Sequence, residues 1–152
     1  MPHISIHHPA FGDILLREAG GAIVSLDWES GADDAPTPLL RRAAEALQAY
    51  FRSGVLPADL PLAPAGTAYQ RRVWACLRRI PRGEIRTYGA VASEAGGSAR
   101  AVGGANRANP IPILIPCHRV CAANGLGGYA GSDRDGWGLD MKRRLLELEG
   151  AV

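Results

Sequence analysis

Alternating apolar and polar positions open the chain. Residues 2–8 (PHISIHH), 11–18 and 21–27 (GAIVSLD) are short runs of this kind, punctuated by Pro9, Gly12, Gly20 and Gly21. A period of two is what a half-buried β-strand requires, so these runs predict a small antiparallel sheet. The period then changes. Leu39, Leu40, Ala43, Ala44, Leu47, Tyr50 and Phe51 recur three and four apart, with Arg and Glu between them, which predicts one amphipathic helix over 38–51. Pro57, Pro61 and Pro64 in LPADLPLAPAG cannot continue it. A boundary near residue 62 therefore separates a small α/β unit, 1–62, from a second unit, 63–152.

The second unit reads as mainly helical. Thr67 and Gln70 have the spacing of a capping box, and Val73, Leu77 and Ile80 carry a stripe that Pro81 ends, predicting a helix over 68–80. GEIRT is a short extended stretch. YGAVASEAG, the Gly96-Gly97 break and ARAVGGANR with Ser98 as its cap then predict two short helices around a glycine turn. Such a pair resembles a helix-turn-helix, although paired short helices are also common in proteins that never meet DNA. Pro110, Pro112 and Pro116 in NPIPILIPCHRV predict an extended segment that presents Cys117 from a strand-like position. KRRLLELEG is helical again, with Gly150 as its stop.

Charge adds a second division. Residues 1–66 hold four arginines against eight acids, whereas residues 67–120 hold nine arginines against Glu84 and Glu94 alone. Lys142 is the only lysine, so the positive charge is nearly all guanidinium, a group that forks to phosphates and stacks on bases. A solvated face, a coding bias toward arginine and a nucleic-acid surface all produce such a block. With 47% hydrophobic and 21% charged residues the chain has the composition of an ordinary globular protein. No stretch approaches the roughly 18 apolar residues of a spanning helix. The start MPHISIHHPAFG lacks the charged and apolar regions of a leader, which predicts a cytoplasmic protein with no membrane association. Cys76, Cys117 and Cys121 are an odd number without a disulfide framework, leaving at least one free thiol. Cys76 and Cys121 read as buried packing, and Trp28, Trp74 and Trp137 as packing anchors. His3, His7 and His8 lack a fourth ligand nearby, so no metal is expected.

The segment PCHRV at 116–120, preceded by Pro-Ile-Leu-Ile, resembles the alkyl-acceptor signature of the methylated-DNA–protein-cysteine methyltransferase family. The resemblance runs in order from 66 to 150. GTAYQRRVWACLRRIPRGEIRTYGAVA, RAVGGANRANPIPI, GGYAG and KRRLLELEG resemble successive family segments. It implies a ribonuclease-H-like N-terminal α/β domain followed by a mainly helical, winged helix-turn-helix-like domain. It also implies a repair protein that flips O6-alkylguanine out of duplex DNA and irreversibly moves the alkyl group to its own cysteine. Attack on a saturated carbon needs a soft nucleophile, and a thiolate is the strongest that a side chain offers. A free thiol is only a few per cent ionised at neutral pH, so a neighbouring base or positive environment must raise that fraction.

By resemblance, Glu149 holds His118, His118 takes a proton through water, and Cys117 becomes the thiolate. Tyr88 would protonate the departing guanine, and Asn109 would brace the turn around the cysteine. Val120 would offer its carbonyl to the guanine amino group, and Tyr129 would line the pocket. Arg100 would enter the base stack, while Ala101, Gly103, Gly104 and Ala105 would let the helix approach the minor-groove walls. Two positions depart from the family pattern: Ala130 where many relatives have serine, and Asn106 where an apolar pocket residue is often found. The loop 132–138 is longer than in many relatives. The expected partner is double-stranded DNA carrying O6-alkylguanine, bound by a monomer without any cofactor. A non-enzymatic lesion binder is the first alternative, but such relatives replace the acceptor cysteine. A Cys-His hydrolase is the second, disfavoured by the DNA-binding-like context.

Overall fold

The computed structural model describes residues 1–57, 59–127, 129 and 136–152. The fold is mixed α/β, with the sheet at the N-terminal end and a helical C-terminal part. Two compact units divide it, Met1–Ala65 and Gly66–Val152. The boundary expected near residue 62 falls inside the first unit's last extended run. Ile23 N–H donates to the Pro61 carbonyl and Ala63 N–H to the Ile23 carbonyl, which ties 61–63 to the sheet.

In the first unit, β1 (His3–His8), β2 (Gly12–Ala19) and β3 (Ala22–Asp27) form an antiparallel sheet in that order. The register places Ile4 opposite Leu16, Ile6 opposite Ile14 and Leu16 opposite Leu26, so the alternation read from sequence builds one apolar face. Helix α1 (Pro38–Ser53) covers it. Thr37 caps the helix by accepting from Leu40 N–H, and Leu40, Ala43, Leu47, Tyr50 and Phe51 are buried. Phe11 stacks on Phe51 with ring centres 4.5 Å apart. On the opposite face, Asp33 accepts from the backbone N–H and hydroxyl of Ser5, and Gly31 lies against Leu15.

In the second unit α2 (Ala68–Leu77), α3 (Tyr88–Ala95) and α4 (Ala99–Arg107) pack on one another. The capping box at Thr67 and Gln70 forms with both of its hydrogen bonds. Helix α2 stops at Leu77 rather than Ile80. Residues 78–80 tighten into a turn in which Ile80 N–H donates to the Leu77 carbonyl, as suits the residue before a proline. Trp74 Nε1 donates to the Ala105 carbonyl at 2.8 Å, pinning α4 to α2. Tyr69 Oη donates to the Gly96 carbonyl and Arg72 Nε to the Ala95 carbonyl, which fixes the turn between α3 and α4. Only glycine fits at 97: φ is +79° and an added Cβ would lie 2.6 Å from Tyr69 Oη.

Short strands β4 (Arg86–Thr87) and β5 (Val120–Cys121) pair in parallel. Helix α5 (Trp137–Leu148) begins before the predicted KRR and ends next to Glu149. The segment before Cys117 is not extended throughout. Ile115 N–H turns back to the Ile111 carbonyl, and Ile113 takes a left-handed φ of 73°, rare for a β-branched residue. Among the described residues no helix is long and apolar enough to cross a membrane.

Candidate active site

Cys117 opens a single 3-10 turn, Cys117–Arg119, instead of lying on a strand. The change has a geometric consequence. Neighbours on a strand point to opposite faces, whereas neighbours on a turn of three residues lie about 120° apart, so Cys117 and His118 are not forced apart. The loop before them is braced by one side chain. Asn109 Nδ2 donates to the Ile115 carbonyl at 2.8 Å, and Asn109 Oδ1 accepts from Ile111 N–H at 3.0 Å. Its amide also favours the ionised form of the Cys117 sulfur. From α4, Asn106 Nδ2 donates to the Cys117 carbonyl at 3.3 Å, while its Oδ1 is buried without a partner among the described residues.

The sulfur is only 2% exposed as part of its residue. Burial pushes the Cys117 thiol up to about 11, against the downward pull of Asn109 and of the Lys142 charge. Burial thus favours the thiol over the thiolate, and a neighbouring base or positive charge has to work against it. Ionisation must come from proton removal during the reaction.

The groups able to remove it lie next along the chain. His118 is wholly buried, and its Nε2 meets Glu149 Oε2 at 2.8 Å. Nδ1 has no hydrogen-bond partner among the described residues. Burial holds His118 below the ordinary imidazole range, with Arg119 and Lys142 acting the same way and Glu149 opposing them. These influences favour the neutral ring, and in the tautomer that donates Nε2–H to Glu149 the lone pair falls on Nδ1. Glu149 is presented from the end of α5, and Arg119 grips it with Nε on Oε1 at 2.9 Å and Nη2 on Oε2 at 3.1 Å.

Sequence reasoning gave no role to two residues here. Lys142 is fully buried, donates from Nζ to the Val120 carbonyl at 2.6 Å and sits in the field of both Cys117 and Cys121. Burial depresses its pKa. It shares the inward face of α5 with Met141, Leu145 and Leu146, so reading that helix at a period of 3.6 would have flagged a buried cation. Arg119 was hidden by the assumed strand geometry. One lone pair of the Val120 carbonyl is occupied by Lys142.

The remaining candidates lie around this cluster or apart from it. Tyr88 is the first residue of α3, behind the Thr87 cap, and packs over Gly127, where a Cβ would meet its hydroxyl at 2.8 Å. Tyr129 is buried, tilted against Trp137 with ring centres 6.4 Å apart. Ala130 and most of the 132–138 loop lie outside the described residues. Arg100, Ala101 and Gly104 are on the exposed side of α4 with Gly103 at its edge. Ala105 is not with them. At about 100° per residue, positions 102, 105 and 106 turn inward, and Ala105 is buried with its carbonyl held by Trp74. Among the described residues no group of three or more His, Cys, Asp and Glu is placed to hold a metal.

Comparison with known proteins points the same way. Residues 68–151 match the family model for the 6-O-methylguanine DNA methyltransferase DNA binding domain. A methylated-DNA–protein-cysteine methyltransferase of Methanosarcina acetivorans is 50% identical, across 98% of this chain and 99% of its own. The fold is similar to the crystal structure of the Mycobacterium tuberculosis O6-methylguanine methyltransferase, with a TM-score of 0.81 and 38% identity over 99% of this chain and 93% of that one. It is equally similar to Mycobacterium tuberculosis OGT in complex with DNA, with a TM-score of 0.82 and 39% identity over 98% and 92%.

Proposed function

The chain belongs to the methylated-DNA–protein-cysteine methyltransferase family, and on that premise we propose that it repairs DNA by moving the alkyl group of O6-alkylguanine onto the sulfur of Cys117. The observation that carries this reading is the arrangement of His118, bonded through Nε2 to Glu149 and left with a buried Nδ1 that has no partner among the described residues, one residue from the cysteine. The Cys117 proton passes through a water to Nδ1, the sulfur attacks the alkyl carbon, and the C–O bond breaks with its electrons staying on guanine. Tyr88 supplies a proton to the departing base. Lys142 steadies the thiolate as it forms, an interaction stronger in the dry interior than in water. A thioether results, and each molecule acts once, without a cofactor.

DNA is handled on α4. Gly103 and Gly104 cost roughly 1 kcal/mol each in a helix interior, and a Cβ at either would meet nothing among the described residues. Their smallness has no internal cause. It suits close approach to sugar and phosphate, with α3 and α4 acting as the helix-turn-helix of a winged domain against the minor groove. Arg100 fills the gap in the stack left by the flipped lesion. The first unit is the ribonuclease-H-like domain of such proteins, and the whole works as a monomer in the cytoplasm.

Mass spectrometry after incubation with a duplex containing O6-methylguanine tests the reading. One adduct of about 14 Da per molecule, on the peptide holding Cys117, is expected for an irreversible acceptor. Repair of many lesions by one molecule, or transfer that survives Cys117→Ala, would contradict it.

A further inference from the structure

Arg119 is a cation with no surface role. It is 5% exposed, two of its nitrogens grip Glu149, and the third, Nη1, donates to the Ile80 carbonyl at 2.7 Å. Every nitrogen of the guanidinium is therefore committed inside the protein, and none is left to meet DNA.

The commitment bears on His118. A carboxylate buried beside an imidazole, without another cation, draws a proton onto the ring, because a neutral histidine leaves the anion unpaired in a dry site. Both ring nitrogens then carry protons, and an imidazolium accepts nothing from a thiol. Here the carboxylate already has its cation. We propose that Arg119 is a positioning residue for the proton-accepting step: by pairing with both oxygens of Glu149, it lets that carboxylate orient His118 through Nε2–H without protonating Nδ1. The inference rests on the reading of Cys117 as alkyl acceptor and adds the residue that keeps its base unprotonated.

The charged groups acting on His118 are Glu149 and Lys142 from α5 and Arg119 on its own turn; the residues after α2 contribute the Ile80 carbonyl that holds Arg119. Of these only Glu149 draws a proton toward the ring. When the Cys117 proton arrives at Nδ1 through water, the thiolate and the imidazolium form together. Glu149 then offsets the new imidazolium charge, so the carboxylate serves the product of proton transfer without having pre-empted it.

Nitrogen-15 NMR of histidine-labelled intact protein, combined with single-turnover methyl transfer as a function of pH, tests this. In the unmodified protein His118 is expected to be the neutral Nε2–H tautomer at pH 7. In Arg119→Gln it should be doubly protonated there, with the acid limb of the transfer profile raised by about one pH unit or more, a loss of about tenfold in rate below the limb. Arg119→Gln/Glu149→Gln, which removes both buried charges together, should return His118 to the neutral form. An imidazolium at pH 7 in the unmodified protein would overturn the proposal whether or not any variant folds. So would a folded Arg119→Gln with an unchanged profile and a neutral ring, or a double variant whose ring stays protonated. Absence of methyl transfer at every pH would instead remove the acceptor reading, while the NMR arms still report on Arg119.

Discussion

The turn that carries Cys117 and the outer face of α4 are opposites. Around Cys117 nearly every polar atom is spoken for by another: Asn109 binds the loop at both ends, Asn106 holds the cysteine carbonyl, Lys142 holds Val120, and Glu149 is shared between His118 and Arg119. On α4, Arg100, Ala101 and Gly104 are exposed, and open space surrounds the missing Cβ of Gly103 and Gly104. A buried polar network is costly unless satisfied, so its residues are explained by one another. A glycine pair with open space around it in a helix is explained by nothing among the described residues. The difference teaches that the residues around Cys117 are pre-organised by one another within the protein, while the outer face of α4, proposed above to meet DNA, is left open for a partner.

Variants that touch one region and spare the other sharpen this contrast. The largest expected effect is that of Cys117→Ala, which abolishes methyl transfer while leaving duplex affinity within about twofold, since backbone and groove contacts set binding. Filter binding or fluorescence anisotropy beside the transfer assay checks both halves. Loss of duplex binding would merge the two regions into one.

Acid comes next. Because the folded state holds His118 below its ordinary range, the unfolded chain binds the extra proton first, and stability falls as pH drops through the unfolded imidazole value of 6.5. The slope reaches at most about 1.4 kcal/mol per pH unit from this group. Urea titrations from pH 8 to pH 5 should show it in the unmodified protein and lose it in His118→Gln. The same slope in both would mean that His118 is not buried in its neutral form.

The smallest effect distinguishes the α4 face. Gly104→Ala should stabilise the protein by about 0.5–1 kcal/mol, raising Tm by a few degrees, because alanine has the better helix propensity and the added Cβ meets nothing. Duplex binding should nonetheless weaken. A stabilised variant with unaltered affinity would show that the open glycines serve no partner.

How far the sequence reveals this division depends on the kind of signal. Period-two alternation in residues 3–27 and the stripe from Leu40 to Phe51 give the first unit directly, because the buried positions there are apolar except for Glu18. The two short helices around Gly96-Gly97 are legible from Ser98 and the glycines. The ordered motifs name Cys117, His118 and Glu149, and the fold brings them to one place. What stays hidden is the 3-10 turn at Cys117: three prolines suggest extension, but the Ile111–Ile115 turn and the Asn109 amide redirect the chain through long-range bonds that no local pattern encodes. Arg119 and Lys142 read as surface charges because such side chains are almost never fully buried unless paired. Their partners, Glu149 and the Val120 carbonyl, are 30 and 22 residues away. The inward turn of Ala105 was a matter of phase, which a helical wheel on 99–107 supplies.

The division is tested most directly by measuring, in parallel, transfer from an O6-methylguanine duplex and from free O6-benzylguanine for Arg100→Ala and Glu149→Gln. Glu149→Gln should slow both reactions by about 10² or more, as expected when an oriented base is lost. Arg100→Ala should slow the duplex reaction by about ten- to a hundredfold, the few kcal/mol of an uncompensated base extrusion, and leave the free base within about twofold. Equal losses on the two substrates for Arg100→Ala would place that residue in the pocket or the fold and contradict the separation of chemistry from DNA handling.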